Sequence, residues 1–146
     1  MKPVQLLVVH CSATPANRDI GVAEIRAMHK AKGWRDVGYH YVIRRDGRVE
    51  KGRADNVMGA HVMGHNNGSL GICLVGGVKP DMTAETNFTP AQYRALEQLL
   101  AKLKATYATA RICGHRDLSP DRNGDGKVPP GEWVKACPTF DVAAWW

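Results

Sequence analysis

The chain has 146 residues, of which 44% are apolar and 23% charged, with a formal net charge of +6. These values describe one ordinary domain with room for one hydrophobic core, and they exclude a disordered chain. No apolar run approaches the roughly 20 residues of a membrane-spanning helix, so no membrane partner is expected.

The apolar run from Leu6 to Val9 reads as a buried strand that leads straight into His10. Residues 12–19 form a polar loop. Residues 21–32 read as a helix with Val22, Ile25 and Met28 along one face and Gly33 as its stop. Residues 39–44 and 48–51 flank Asp46-Gly47, a hairpin signal. Residues 56–69, rich in Gly, His and Asn, read as an irregular surface loop. Residues 70–75 form a second buried strand. Thr89-Pro90-Ala91-Gln92 starts a helix: Thr89 caps, Pro90 suits the first turn and Gln92 completes a capping box. Tyr93, Leu96, Leu100, Leu103 and Tyr107 then recur at helical spacing as a core-facing stripe. Residues 111–113 are a short strand running into His115. A Pro/Gly/Asp-rich segment follows, and residues 140–146 close the chain as a short amphipathic end. Strands and helices alternate with no repeat and no linker. The expected class is α/β, a single domain over residues 1–146 with a central mixed sheet flanked by helices.

Four cysteines, Cys11, Cys73, Cys113 and Cys137, allow disulfides by count. However, the chain is not small, and Met1-Lys2-Pro3 leads into the first strand without a secretory signal. Cys73 and Cys113 read as small buried hydrophobes. Cys137, before Pro138, stands in a loop. His10 and His115 each follow a buried strand, where open α/β sheets place their sites. Two His and one Cys with an open fourth position make a catalytic zinc set. By spacing alone the set remains open, because structural His and Cys explain the same residues. His29 and His65 read as surface residues, and His40 and Tyr41 as alternating strand positions.

Several stretches carry a resemblance in chain order. They are Val9-His10-Cys11-Ser12-Ala13-Thr14, Val37-Gly38-Tyr39-His40-Tyr41, Arg45-Asp46-Gly47, Gly71-Ile72-Cys73-Leu74-Val75-Gly76-Gly77, Asn87-Phe88-Thr89-Pro90-Ala91-Gln92 and Lys135-Ala136-Cys137-Pro138. Together they resemble phage lysozymes of the zinc N-acetylmuramoyl-L-alanine amidase family 2, which also contains peptidoglycan recognition proteins. The resemblance implies a zinc cleft at strand ends, with His10, His115 and Cys137 as ligands. It matches Tyr39 and Lys135 to two catalytic residues that are not ligands, and sets His61 at the cleft rim in contact with substrate. The implied reaction is hydrolysis of the amide between N-acetylmuramic acid and L-alanine by a zinc-activated water, with Lys135 near the oxyanion and Tyr39 orienting the water. The implied partner is bacterial peptidoglycan. The implied setting is a phage or prophage endolysin, made in the cytoplasm and acting on the wall after release.

The basic charge suits a polyanionic wall as well as nucleic acid. Lys and Arg are scattered and no nucleic-acid module is present, so direct nucleic-acid binding is not expected. Contact with a phage RNA polymerase is reached only by family analogy. Two other readings stay open: a binding module that has lost its metal, and a thiol hydrolase using Cys11 or Cys137.

Residues 121–132 stand where the resembled lysozymes have a short loop. They fit the calcium-loop pattern, with Asp121, Asn123 and Asp125 at the first ligand positions and Gly126 at the turn. Lys127 would offer its carbonyl and Glu132 two oxygens, as a weak calcium site bracing Lys135 and Cys137. The alternative is a solvated acidic turn.

Overall fold

The structure is a computed structural model and describes residues 1–120, 122–125, 128, 130–132 and 136–146. Its strands in chain order are β1 (Leu6–Cys11), β2 (Thr14–Pro15), β3 (Tyr41–Ile43), β4 (Val49–Lys51), β5 (Ser69–Leu74), β6 (Gly77–Val78) and β7 (Arg111–Gly114). The helices are α1 (Val22–Ala31), α2 (Pro90–Thr106) and α3 (Val142–Trp145).

Five strands form one mixed sheet in the order β4-β3-β5-β1-β7, and β2 pairs with β6 in a small second sheet. Only the β3–β4 hairpin is antiparallel in the large sheet; β1 lies parallel between β5 and β7. A strand with parallel neighbours on both sides is buried on both faces. That is why Leu6 to Val9 reads as a continuous apolar run rather than an alternating one.

Strand alternation divides β1 between two cores. Leu7, Val9 and Cys11 join Leu70, Ile72 and Leu74 of β5 against Leu96, Leu100 and Leu103 of α2. The opposite face gathers Ile20, Ile25, Val37, Val42 and Cys73 beside α1. His10 falls on this second face, level with Cys73 in the β1–β5 register.

The α2 start forms as its sequence specifies. Thr89 Oγ1 accepts from the Gln92 amide, and Gln92 Oε1 accepts from the Thr89 amide. Gln92 is fully buried, and its carboxamide also donates to the Ile43 and Val75 carbonyls at 3.2 and 2.9 Å. One side chain thus ties α2 to the ends of β3 and β5. Buried amides are tolerated when bonded in this way.

Some expectations need correction. The strand expected over residues 39–44 is only Tyr41–Ile43. Residues 56–69 are not wholly a surface loop: His61 and Val62 are buried, because both their amides are tied to Asn66 Oδ1 and turn the chain inward. His29 is buried, not on the surface, while Met28 is exposed instead of joining the core stripe. His115–Leu118 forms a single 3-10 turn, which Gly114 and Asp117 cap.

Candidate metal centre

His10 comes from β1, between β5 and β7, and His115 is the first residue after β7. In the β1–β7 register Val9 lies level with Gly114. The next residue in each segment is a histidine, and their rings stand 4.6 Å apart between centroids. Cys137 arrives from a distant part of the chain and is fixed at two points. The Cys11 amide donates to its Sγ at 2.9 Å, and its carbonyl accepts from the Arg116 amide at 2.9 Å. Gly114 lets this segment come close: a Cβ there would meet Pro138 Cδ at 2.9 Å.

One ligand atom from each of His10, His115 and Cys137 lies within 4.8 Å of the others. Two such atoms at about 2.0–2.3 Å from one tetrahedral zinc stand roughly 3.3–3.7 Å apart. The donor set fits zinc after a small closure, and it leaves one coordination position for a reactant. Burial pushes the Cys137 thiol well above its usual range, with the neighbouring Cys11 adding to the rise. A divalent cation reverses that preference, because a coordinating thiol is deprotonated outright.

The three residues border a cleft of about 270 Å³, together with Tyr39 and, at its edge, His29, Lys32 and Trp34. Tyr39 packs with its ring 5.2 Å from that of His10. Burial, followed by the thiols of Cys73, Cys137 and Cys11, pushes its phenol well above the ordinary value. The same phenol is hydrogen-bonded to the Cys73 side chain.

His61, expected at the rim, is a buried residue of the cleft lining. Its ring still borders the cleft, but both nitrogens turn to protein partners: Nδ1 is 2.8 Å from His10 Nε2 and Nε2 is 3.1 Å from Ser69 Oγ. Burial, then His40 nearby, lowers its pKa to about 3. No spacing in the sequence signals this pair, since 51 residues separate the two rings.

His29 is a second residue the sequence reading misplaced. Its Nδ1 accepts the Gly38 amide at 2.8 Å and so holds the segment that delivers Tyr39. Burial first, then Lys32 and Arg53, lowers its pKa to about 4. The unfolded chain binds this proton near pH 6.5 and the folded chain only near 4, so stability is full above 6.5 and is lost as pH falls toward 4. The expected loss is on the order of 1–3 kcal/mol. Urea unfolding at several pH values checks it: His29→Asn, which keeps an acceptor but cannot titrate, should be flatter across that window. Identical pH profiles for both proteins would assign the effect to another group.

Lys135, Asp121, Gly126 and Lys127 lie outside the described residues, as does the Glu132 side chain. Asn123 and Asp125 are exposed, and the Asp125 amide donates to Asn123 Oδ1 at 3.1 Å. The calcium reading of this loop gains no support: among the described residues, the His10, His115 and Cys137 group alone is arranged to hold a metal.

Residues 1–132 match the family described as N-acetylmuramoyl-L-alanine amidase. The chain is 49% identical over 140 residues to the endolysin of Klebsiella phage KP32, covering 96% of this chain and 83% of that one. Identity to the endolysin of Escherichia phage T7 is 44% over 140 residues, again 96% and 83% of the two chains. Among solved structures, the N-acetylmuramoyl-L-alanine amidase LysC from Clostridium intestinale URNW superposes with a TM-score of 0.71 at 26% identity, covering 94% of this chain and 78% of that one.

Proposed function

The chain belongs to the N-acetylmuramoyl-L-alanine amidase family, and from that premise we propose that it is a phage-type endolysin that hydrolyses peptidoglycan with zinc held by His10, His115 and Cys137. The observation that carries the zinc reading is the convergence of these three side chains, from β1, the end of β7 and the segment after residue 135, on one point of the cleft. Family members that only bind the wall are expected to lack the thiolate position; Cys137 is present here. The described residues include no helix long and apolar enough to cross a membrane.

Zinc in such a site supplies Lewis acidity, bringing the pKa of water toward ~7 and polarising a carbonyl. The chain's own residues do the rest. Buried His10 and the clamped Cys137 keep the donor set in place. The Tyr39 ring packs beside His10, and the resemblance assigns its hydroxyl to orienting the reacting water. Lys135, assigned through the resemblance, supplies a cation for the charge that develops on the lactyl carbonyl. Water adds its hydroxyl to the carbonyl carbon and its proton to the departing alanine nitrogen, so the glycan keeps a free lactyl carboxylate and the stem peptide gains a free amine.

Mass spectrometry of digested peptidoglycan tests this. New L-alanine N-termini should appear on stems released from intact glycan, and a zinc chelator should abolish them. Product formation that survives thorough chelation would instead support a thiol hydrolase.

A further inference from the structure

We propose that His61 is a positioning residue that sets the orientation of His10, so that His10 presents Nδ1 to the metal. The inference rests on the zinc reading above and assigns His61 a task other than substrate contact.

One chain of hydrogen bonds, from Ser69 through His61 to His10, sets where the protons lie. Ser69 Oγ lies 2.7 Å from the His65 carbonyl and 3.2 Å from the Asn66 carbonyl, both of which can only accept, so the serine proton goes to one of them. Ser69 Oγ then accepts from His61 Nε2–H at 3.1 Å. A neutral imidazole with its proton on Nε2 has an acceptor at Nδ1, and His10 Nε2 lies 2.8 Å from that atom. His10 must therefore donate Nε2–H, and its lone pair lies on Nδ1. Metal-ligating histidines depend on such a donated N–H to fix tautomer and ring angle. Here the acceptor is a second histidine, set edge-on to the first with an interplanar angle of 89°.

The sheet is shaped for this ring. His61 lies over Gly71 of β5, where a Cβ would meet its Cγ at 2.6 Å and its Nδ1 at 2.9 Å. Gly59 closes the other side: a Cβ there would meet His61 Cδ2 at 2.7 Å. The Asn66 carboxamide holds the backbone on both sides of the bend, through the amides of His61 and Val62. Two glycines and one asparagine thus hold this ring in place beside His10.

Zinc affinity of the full chain, measured by competition with a chromogenic chelator, tests the proposal. His61→Asn keeps an acceptor near the Nδ1 position and should stay within a few-fold of wild type. His61→Gln puts its amide near the Nε2 position and leaves His10 without its acceptor, so affinity should fall by about 10–100-fold. Gly71→Ala should weaken zinc binding through the displaced ring, and combining it with His61→Gln should add little, because both act on one contact. In the zinc-loaded wild type, long-range nitrogen–proton spectra should put the proton of His10 on Nε2 and the metal on Nδ1. Wild-type zinc affinity in His61→Gln, fully additive losses in the double variant, or a metal on His10 Nε2 would each overturn the proposal. If the position-61 variants fail to fold, Gly71→Ala and the spectra still decide it. A wild-type chain that takes up no zinc would instead overturn the metal reading itself.

Discussion

Cys137→Ser is expected to lose zinc and amidase activity together, each by more than about 100-fold, since losing a residue that only supports a ligand already costs roughly 10–100-fold. The reason is the thiolate. Sulfur is the one donor of the set that becomes anionic, and it would offset part of the metal's charge in a half-buried place. A serine hydroxyl stays protonated there and coordinates weakly. The substitution is small, and the Cys11 amide that donates to Sγ can donate to Oγ instead, so the segment should keep its place. Metal content by mass spectrometry and turnover on purified peptidoglycan, measured on one sample, check the result. Zinc and activity both retained would remove Cys137 from the ligand set. Activity lost with zinc fully retained would favour a thiol nucleophile.

Tyr39→Phe and Lys135→Ala should behave in the opposite way, keeping zinc while losing rate. Removing one group that stabilises developing charge typically costs about 10²–10³ in kcat. Tyr39 is held beside the ligands without being one: its ring packs against both His10 and His29 at 5.2 and 5.5 Å. Phenylalanine fills the same volume, so the fold and the donor set should be unaffected. Turnover and metal content measured side by side separate the two effects. A parallel loss of zinc would mean that these residues hold the centre together and do not take part in the reaction.

The two buried histidines act at different points of the structure. His61 acts on the metal through His10, and its variants should change zinc affinity. His29 acts on the backbone before Tyr39 through the Gly38 amide, and its variants should change acid stability. Neither role follows from residue type, since both rings are buried and both have lowered pKa values for the same first cause, loss of water.

Elements whose signals are local are legible in the residues themselves. The apolar run of β1, the capping box and leucine stripe of α2 and the Asp46-Gly47 hairpin depend on neighbours within a few residues, and all three are present in the fold. Motif resemblance added the candidate ligands His10, His115 and Cys137, which the fold brings together. What sits around them depends on how the strands and loops pack. Parallel register put His10 level with Cys73 and one step past Gly114, and strand alternation turned it to the α1 face. The His10–His61 and Cys11–Cys137 contacts span 51 and 126 residues. Local propensity carries no information over such distances, because these contacts form only when separate strands and loops close on a shared core. The same limit explains why His29 read as a surface residue: its burial comes from Trp34 and Tyr39 folding over the end of α1, not from its own helical spacing.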